Sequence, residues 1–246
     1  MPELLPTTIK TRRIALIAVF TALSTILDFI VTPNFSAGVW YGWNFIMSPI
    51  TGILLGPRDG FIATLISVML GHSLNFRETV YEFVFTIGAP ICSMISGLIF
   101  RGNWRKVFFF YSVLFVAYFS TSVSWSLPLW GMWDCYVGYT IIISAWILNR
   151  INLFNLENRV RGRFIVSTFV GLEADILFRI FLLVPCQTYR LFYGLTSEAL
   201  KLIWAAPAPL ITPIKVVLST MVTVMIGPPL INVLKENNYL ELKGSK

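Results

Sequence analysis

The stretch KTRRIALIAVFTALSTILDFIV, residues 10–31, sets three basic side chains directly before an apolar run whose only charged residue is Asp28. About 20 apolar residues cross a bilayer core, and the run at 14–31 is close to that length. The pattern recurs along the chain, with further apolar runs at 39–55, 60–74, 79–100, 107–127, 133–148, 164–185 and 210–234. Turn signals lie between them: Pro33-Asn34, the segment from Gly56 through Pro57, Arg58 and Asp59 to Gly60, Gly102-Asn103, Pro128 and a proline-rich stretch at 207–213. The runs at 60–74 and 133–148 are short, which suits tilted, broken or partly buried helices.

Composition points the same way. Only 13% of the 246 residues are charged and 56% are apolar, with a mean hydropathy of +0.74. A soluble domain carries about 25% charged residues, so a water-soluble globule is excluded. One histidine excludes bis-histidine haem ligation, and three widely spaced cysteines exclude a cysteine-only zinc site. No metal or cofactor is expected. The net charge of +7 is scattered between apolar runs, which argues for membrane topology and against nucleic-acid binding.

The basic residues test the segmentation. With the N-terminus in the cytoplasm, inner segments hold Lys10, Arg12, Arg13, Arg58, Arg101, Arg105, Lys106, Arg150, Arg159, Arg161, Arg163, Lys235, Lys243 and Lys246. Outer segments hold Arg77, Arg190 and Lys201, while Arg179 and Lys215 fall within or beside spans. This is the asymmetry of the positive-inside rule. The expected fold is therefore an all-α polytopic membrane protein, one transmembrane domain over residues 1–246, with about eight spanning helices and both termini cytoplasmic. A six-helix arrangement with 107–148 folded differently is the competitor. The first run is longer than a signal-peptide core and lacks a clean cleavage site, so it reads as a retained helix. Cys135 and Cys186 could both lie near the outer face and pair, although isolated thiols fit better. No internal repeat is visible.

Ala15, Ala18 and Ala22 share one face of the first helix, and Ala63, Ser67 and Gly71 make a second small-residue stripe in the third run. Small residues let helices approach closely where dispersion must drive association. The combination carries more: the Ala18-x-x-x-Ala22 face behind a basic N-terminus, a second helix ending Gly52-Ile53-Leu54-Leu55-Gly56-Pro57, and the tight Arg58-Asp59-Gly60 turn. Gly88-Ala89-Pro90, the run from Ser96 to Arg101, the segment Gly171-Leu172-Glu173-Ala174-Asp175 and Pro213-Ile214-Lys215 extend it. Together they resemble the substrate-binding S components of energy-coupling factor (ECF) transporters, over residues 10–105 and 163–235.

That resemblance implies a six-helix S-component-like bundle, with 106–150 as an inserted helical hairpin. It implies a high-affinity binding subunit, not an enzyme, for a vitamin or related micronutrient in a prokaryotic plasma membrane. Ala15, Ala18 and Ala22 would dock on the transmembrane coupling subunit, and separate ATPase subunits would hydrolyse ATP. The chain itself has no phosphate-binding Gly-x-x-x-x-Gly-Lys-Ser/Thr loop. The family's lids would correspond to residues 33–41 and 187–212.

Ionisable residues at membrane depth usually face a cavity or a partner, which singles out Glu173, Asp175 and Arg179. Asp175 and Arg179, four residues apart, are spaced to pair; Glu173 needs another partner, substrate or Lys215. Under the resemblance, Trp40, Tyr41 and Asn44 would stack on and hydrogen-bond a flat heterocycle, with Tyr189, Arg190 and Trp204 contributing from the second lid. Arg179 or Arg190 would hold a carboxylate or phosphate, so a flat anionic or zwitterionic ligand is expected. Trp125, Trp130 and Trp133 beside Asp134 read mainly as an interfacial belt. His72, grouped with Asn75, Arg77 and Glu78, reads as a polar loop residue. Two alternatives stay open: a membrane-embedded enzyme using Glu173, Asp175 or His72 on a lipid-like substrate, and a non-catalytic accessory subunit.

Overall fold

The structure, a computed structural model, describes residues 3–6, 10–30, 42–74, 84–150 and 160–243. Among the described residues, eight helices of twelve residues or more form one bundle: α1 (Lys10–Phe29), α2 (Asn44–Leu55), α3 (Pro57–Leu74), α4 (Gly88–Phe100), α5 (Trp104–Phe119), α6 (Trp133–Arg150), α7 (Val160–Leu183) and α10 (Pro207–Glu236). Two short helices, α8 (Thr188–Leu191) and α9 (Ser197–Ala205), lead into α10. Both runs at 107–127 and 133–148 contain a helix, so the contested hairpin is helical. The former stops at Phe119 and continues as two 3₁₀ turns, Ser124–Ser126 and Leu129–Met132.

The all-α expectation has one exception. Strand β1 (Glu3–Pro6) pairs antiparallel with β2 (Leu240–Lys243), Glu3 opposite Lys243 and Pro6 opposite Leu240, joining the two ends of the chain. Among the described residues, α10 is long and apolar enough to cross a membrane, and Asn44–Leu55 and Val84–Phe100 are shorter apolar helices.

Helix α4 lies at the centre, packed by α2, α3, α5 and α7. A helix that is apolar all round belongs inside, and eleven of the thirteen residues of α4 are buried. Close approach depends on the absence of side chains: a Cβ on Gly52 of α2 would run into the backbone of Ser93 on α4. Helix α1 buries Leu16, Phe20, Ser24 and Asp28, one residue per turn, against α3 and α2. The α3 stripe of Ala63, Ser67 and Gly71 is buried. It is used within the chain: the Thr21 and Thr25 hydroxyls of α1 donate to the carbonyls of Ala63 and Ser67, both at 3.4 Å. The α1 stripe differs, because Ala15, Ala18 and Ala22 all face outward and are exposed.

Prolines inside helices leave carbonyls without their usual backbone donor. At Pro49, Pro209 and Pro213 side chains from neighbouring elements replace it. Pro49 cannot donate to Phe45, and the Ser219 hydroxyl of α10 does so at 2.8 Å. The proline-rich stretch read as a turn is instead the start of α10. Pro207 suits a first-turn position, and Pro213 lies inside the helix. The Pro209 carbonyl, which Pro213 cannot serve, accepts the Trp133 indole N–H at 3.0 Å, and Trp130 donates to the Ala205 carbonyl at 3.2 Å. At the opposite end, Arg101 donates to the carbonyls of Ile53 at 3.3 Å and Gly97 at 3.1 Å.

That opposite end also carries the basic residues. Arg13 of α1 clasps Asp59 of α3 through two hydrogen bonds of 2.6 and 2.7 Å. Arg163 donates to the Phe100 carbonyl and covers its ring, the guanidinium carbon 4.6 Å from the centroid.

The Ser219 bond gives a direct test. Ser219→Ala orphans a buried carbonyl and should cost about 1–3 kcal/mol in thermal or denaturant unfolding of the purified protein. Adding Pro49→Ala restores a backbone donor to Phe45, so the double variant should recover most of that loss. Additive losses would show that Ser219 does not serve the proline-freed carbonyl.

Candidate functional site

The ends of the helices remote from the basic cluster enclose a cavity of about 390 Å³, within the size range of small-molecule sites. Its walls come from many elements: Asp28 of α1, Asn44 and Phe45 of α2, His72 of α3, Thr86 and Ala89 at the start of the central helix, and Asp134 of α6. Helix α7 adds Asp175, Ile176, Arg179, Ile180 and Leu183, and the chain from Tyr193 through α9 to Lys215 of α10 closes the circle.

Two groups of paired polar side chains lie in these walls. Arg179 Nε is 2.5 Å from Asp175 Oδ1, the i, i+4 pair the spacing suggested, and Lys215 Nζ is 3.9 Å from Asp175 Oδ2. Lys215 also lies over the Phe45 ring, 5.1 Å from its centroid. In the second group His72 Nδ1 is 3.0 Å from Asp28 Oδ2 and 2.9 Å from the Val68 carbonyl. Both neighbours are acceptors, so Nδ1 carries the proton. His72 Nε2 is 3.2 Å from the Thr86 hydroxyl.

Asp134 differs from both. Its Oδ2 accepts the Thr212 hydroxyl at 2.5 Å and its Oδ1 accepts the Cys135 backbone N–H at 3.0 Å. Among the described residues no cation pairs with it. Behind it, away from the cavity, Glu173 is fully buried with neither carboxylate oxygen hydrogen-bonded. Single ligand atoms of Asp134, Cys135 and Glu173 lie within 4.8 Å of one another. These donor types could hold a divalent cation, but a cation would compete with the Thr212 and backbone donors that already serve Asp134.

Of the residues singled out in the sequence, Asn44, Asp175, Arg179 and Trp204 line the cavity. Glu173 does not, and Lys215 pairs with Asp175 instead of with it, because the two carboxylates lie on different sides of α7. Tyr189 is buried in the apolar core and Arg190 is exposed, so neither reaches the cavity. Trp40, Tyr41, Asn75, Arg77 and Glu78 lie outside the described residues, as does the whole of the 33–41 lid. The 187–212 segment covers the cavity through Tyr193, Leu195, Ile203 and Trp204. His72 is not in a loop but on the last turn of α3. Cys135 is buried, Cys186 is exposed, and both are free. Sequence reading gave no site role to Asp28, Asp134 or Thr212, and gave one to His72 only in the enzyme alternative. An available signal was their shared level, since each falls near the end of a run remote from the basic clusters.

In comparison with known proteins, the chain matches no family model, no curated protein and no solved structure.

Gly88 makes room for the Asp175–Arg179 pair, because a Cβ there would overlap Asp175 Oδ1 and reach Arg179 Nε at 3.1 Å. Gly88→Ala should therefore lower unfolding stability by about 1–3 kcal/mol, read as a fall in melting temperature. An unchanged melting temperature would show that the pair is not seated against Gly88.

Proposed function

We propose that this chain is a polytopic membrane protein serving as the small-molecule-binding subunit of an ECF-type importer. The observation that carries the reading is on α1: its Ala15, Ala18 and Ala22 face is exposed, while Asp28 on its last turn lines the cavity. A partner-docking strip and a ligand wall would then share one helix.

Several features support a membrane setting. Large apolar side chains point outward, among them Ile14, Val19, Ile62, Phe109, Val116 and Met225. Ser, Thr, Asp, Glu and Lys side chains are buried inside the bundle. In hydrocarbon, backbone groups freed by proline must find partners within the protein, as those of Phe45 and Pro209 do. With the basic end facing the cytoplasm by the positive-inside rule, the cavity lies toward the outer surface. Import would then require a coupling subunit that binds α1 and ATPase subunits that drive it. Few polar contacts on the alanine strip would have to break when that partner lets go.

The buried Asp134–Cys135–Glu173 group favours the second reading, a membrane-embedded enzyme. Turnover of an added lipid by the purified protein, lost in Glu173→Gln, would replace the importer reading.

The importer reading predicts that affinity-tagged full-length protein co-purifies from its host membrane with a transmembrane subunit and ATPase subunits. Ala18→Trp with Ala22→Trp should abolish that complex while leaving the melting temperature of the isolated protein unchanged. Normal assembly of the double variant would overturn the docking assignment.

A further inference from the structure

The polar groups of the cavity fall into those already satisfied and those that are not. Asp28 is held by His72 and Asp175 by Arg179. The remainder is short. Asp134 is only 2% exposed, its oxygens accept two hydrogen bonds, and no cation among the described residues neutralises it. An ionised carboxylate has about four acceptor sites, so capacity is left over. Lys215 is 7% exposed and makes no hydrogen bond among the described residues, since 3.9 Å to Asp175 is too long for one. The Asn44 side-chain amide N–H₂ group, on a residue 3% exposed, has no partner.

These unspent groups are of opposite character and line the same cavity. Lys215 and Asn44 offer donors for an anion, and Lys215 lies over the ring of Phe45, the neighbour of Asn44. Asp134 offers acceptors for a cation and is tied by Thr212 to α10. Thr212 and Lys215 are three residues apart on that helix, so they share a face about one turn, or ~5 Å, apart. Phe45, Phe85, Tyr193 and Trp204 supply aromatic wall.

We propose that the cavity selects a small zwitterion of amino-acid type with a flat apolar body, its ammonium group taken by Asp134 and its carboxylate by Lys215 and the Asn44 amide. This rests on the binding-subunit reading and narrows it. Arg179 and Arg190 are not the anion anchors, because Asp175 occupies the first and the second lies outside the cavity. A ligand with only a negative charge would leave Asp134 unneutralised, and one with only a positive charge would leave Lys215 and Asn44 without acceptors. Leaving a buried polar group unpaired costs more than an ordinary hydrogen bond gains, so both single-charge classes are rejected.

The test uses full-length protein in lipid nanodiscs, with the three aromatic amino acids as probes, each beside its decarboxylated amine and its deaminated acid. Equilibrium binding is measured for all nine. At least one amino acid should bind tenfold or more tightly than both counterparts, a factor of roughly ten or more being what one lost charged hydrogen bond implies. Asp134→Asn should bring the amino acid down to its deaminated acid, and Lys215→Met should bring it down to its amine. Lys215→Arg, which keeps the charge, should retain discrimination and guards against a folding artefact. Equal or tighter binding of an amine or an acid, or no binding by any of the nine, overturns the zwitterion assignment. The outcome is separable from the broader reading. Native mass spectrometry showing a different bound small molecule, with ATPase subunits still co-purifying, sinks the zwitterion alone. Absence of both bound molecule and partner sinks the importer reading itself.

Discussion

The bundle depends on one constraint: around the cavity, the helix carbonyls that Pro49, Pro209 and Pro213 cannot serve take donors from neighbouring elements. That requirement decides which helices meet and at what height. Ser219 reaches the Phe45 carbonyl and locks α10 to α2, and one turn along α10, Lys215 comes to rest over the Phe45 ring. Trp133 reaches the Pro209 carbonyl and locks α6 to α10, and the next residue, Asp134, takes the Thr212 hydroxyl. Backbone repair and cavity chemistry therefore use adjacent residues. The groups that remain unspent in the cavity are held in place by bonds whose first role is to keep carbonyls from being orphaned.

Around this frame, close helix approach is achieved by removing side chains and not by enlarging them. Gly52 lets α2 touch the backbone of Ser93, and Gly88 leaves the volume that the Asp175–Arg179 pair fills. On the membrane reading, helices in an apolar solvent gain little from burying apolar surface against each other, so dispersion at short range would supply the association. The α3 stripe of Ala63 and Ser67 is consumed in this way by Thr21 and Thr25 of α1. The stripe of Ala15, Ala18 and Ala22 is likewise made of small residues but has a different fate, since the face of α1 carrying Leu16, Phe20 and Ser24 is the one turned inward.

The helical character and the positions of the long helices were legible in the sequence because run length and turn chemistry are local properties, whereas the choice between six and eight helices was not. The Asp175–Arg179 pair was also legible, a matter of spacing on a single helix. The reading of 207–213 as a turn failed because proline forbids only its own backbone bond. Whether the freed carbonyl finds Trp133 is a tertiary fact that no window of sequence contains. The same applies to Asp28 with His72 and to Asp134 with Thr212, partners 44 and 78 residues apart. Arg190 misled for the opposite reason: a basic residue in a covering segment suggests an anion anchor, but it is exposed and does not line the cavity. Glu173 was rightly separated from Asp175 around the helix, yet separation alone did not say that its side faces α6 and not the cavity.

Helix α1 links the two halves of the functional reading. From Ala22 to Asp28 is six residues, about 9 Å along a rigid helix, so the exposed strip and the cavity carboxylate cannot move independently. On the importer reading, a partner that shifts α1 against α3 acts first on the Arg13–Asp59 clasp at one end and on the Asp28–His72 pair at the other. The second contact lies in the cavity wall, beside the cation that holds Asp175. Docking energy spent on displacing α1 would thus be felt as a change in the wall that surrounds the ligand, without any segment having to unfold. Such coupling requires that the alanine face stay free of contacts within its own chain, because a helix pinned on both sides has no room to respond.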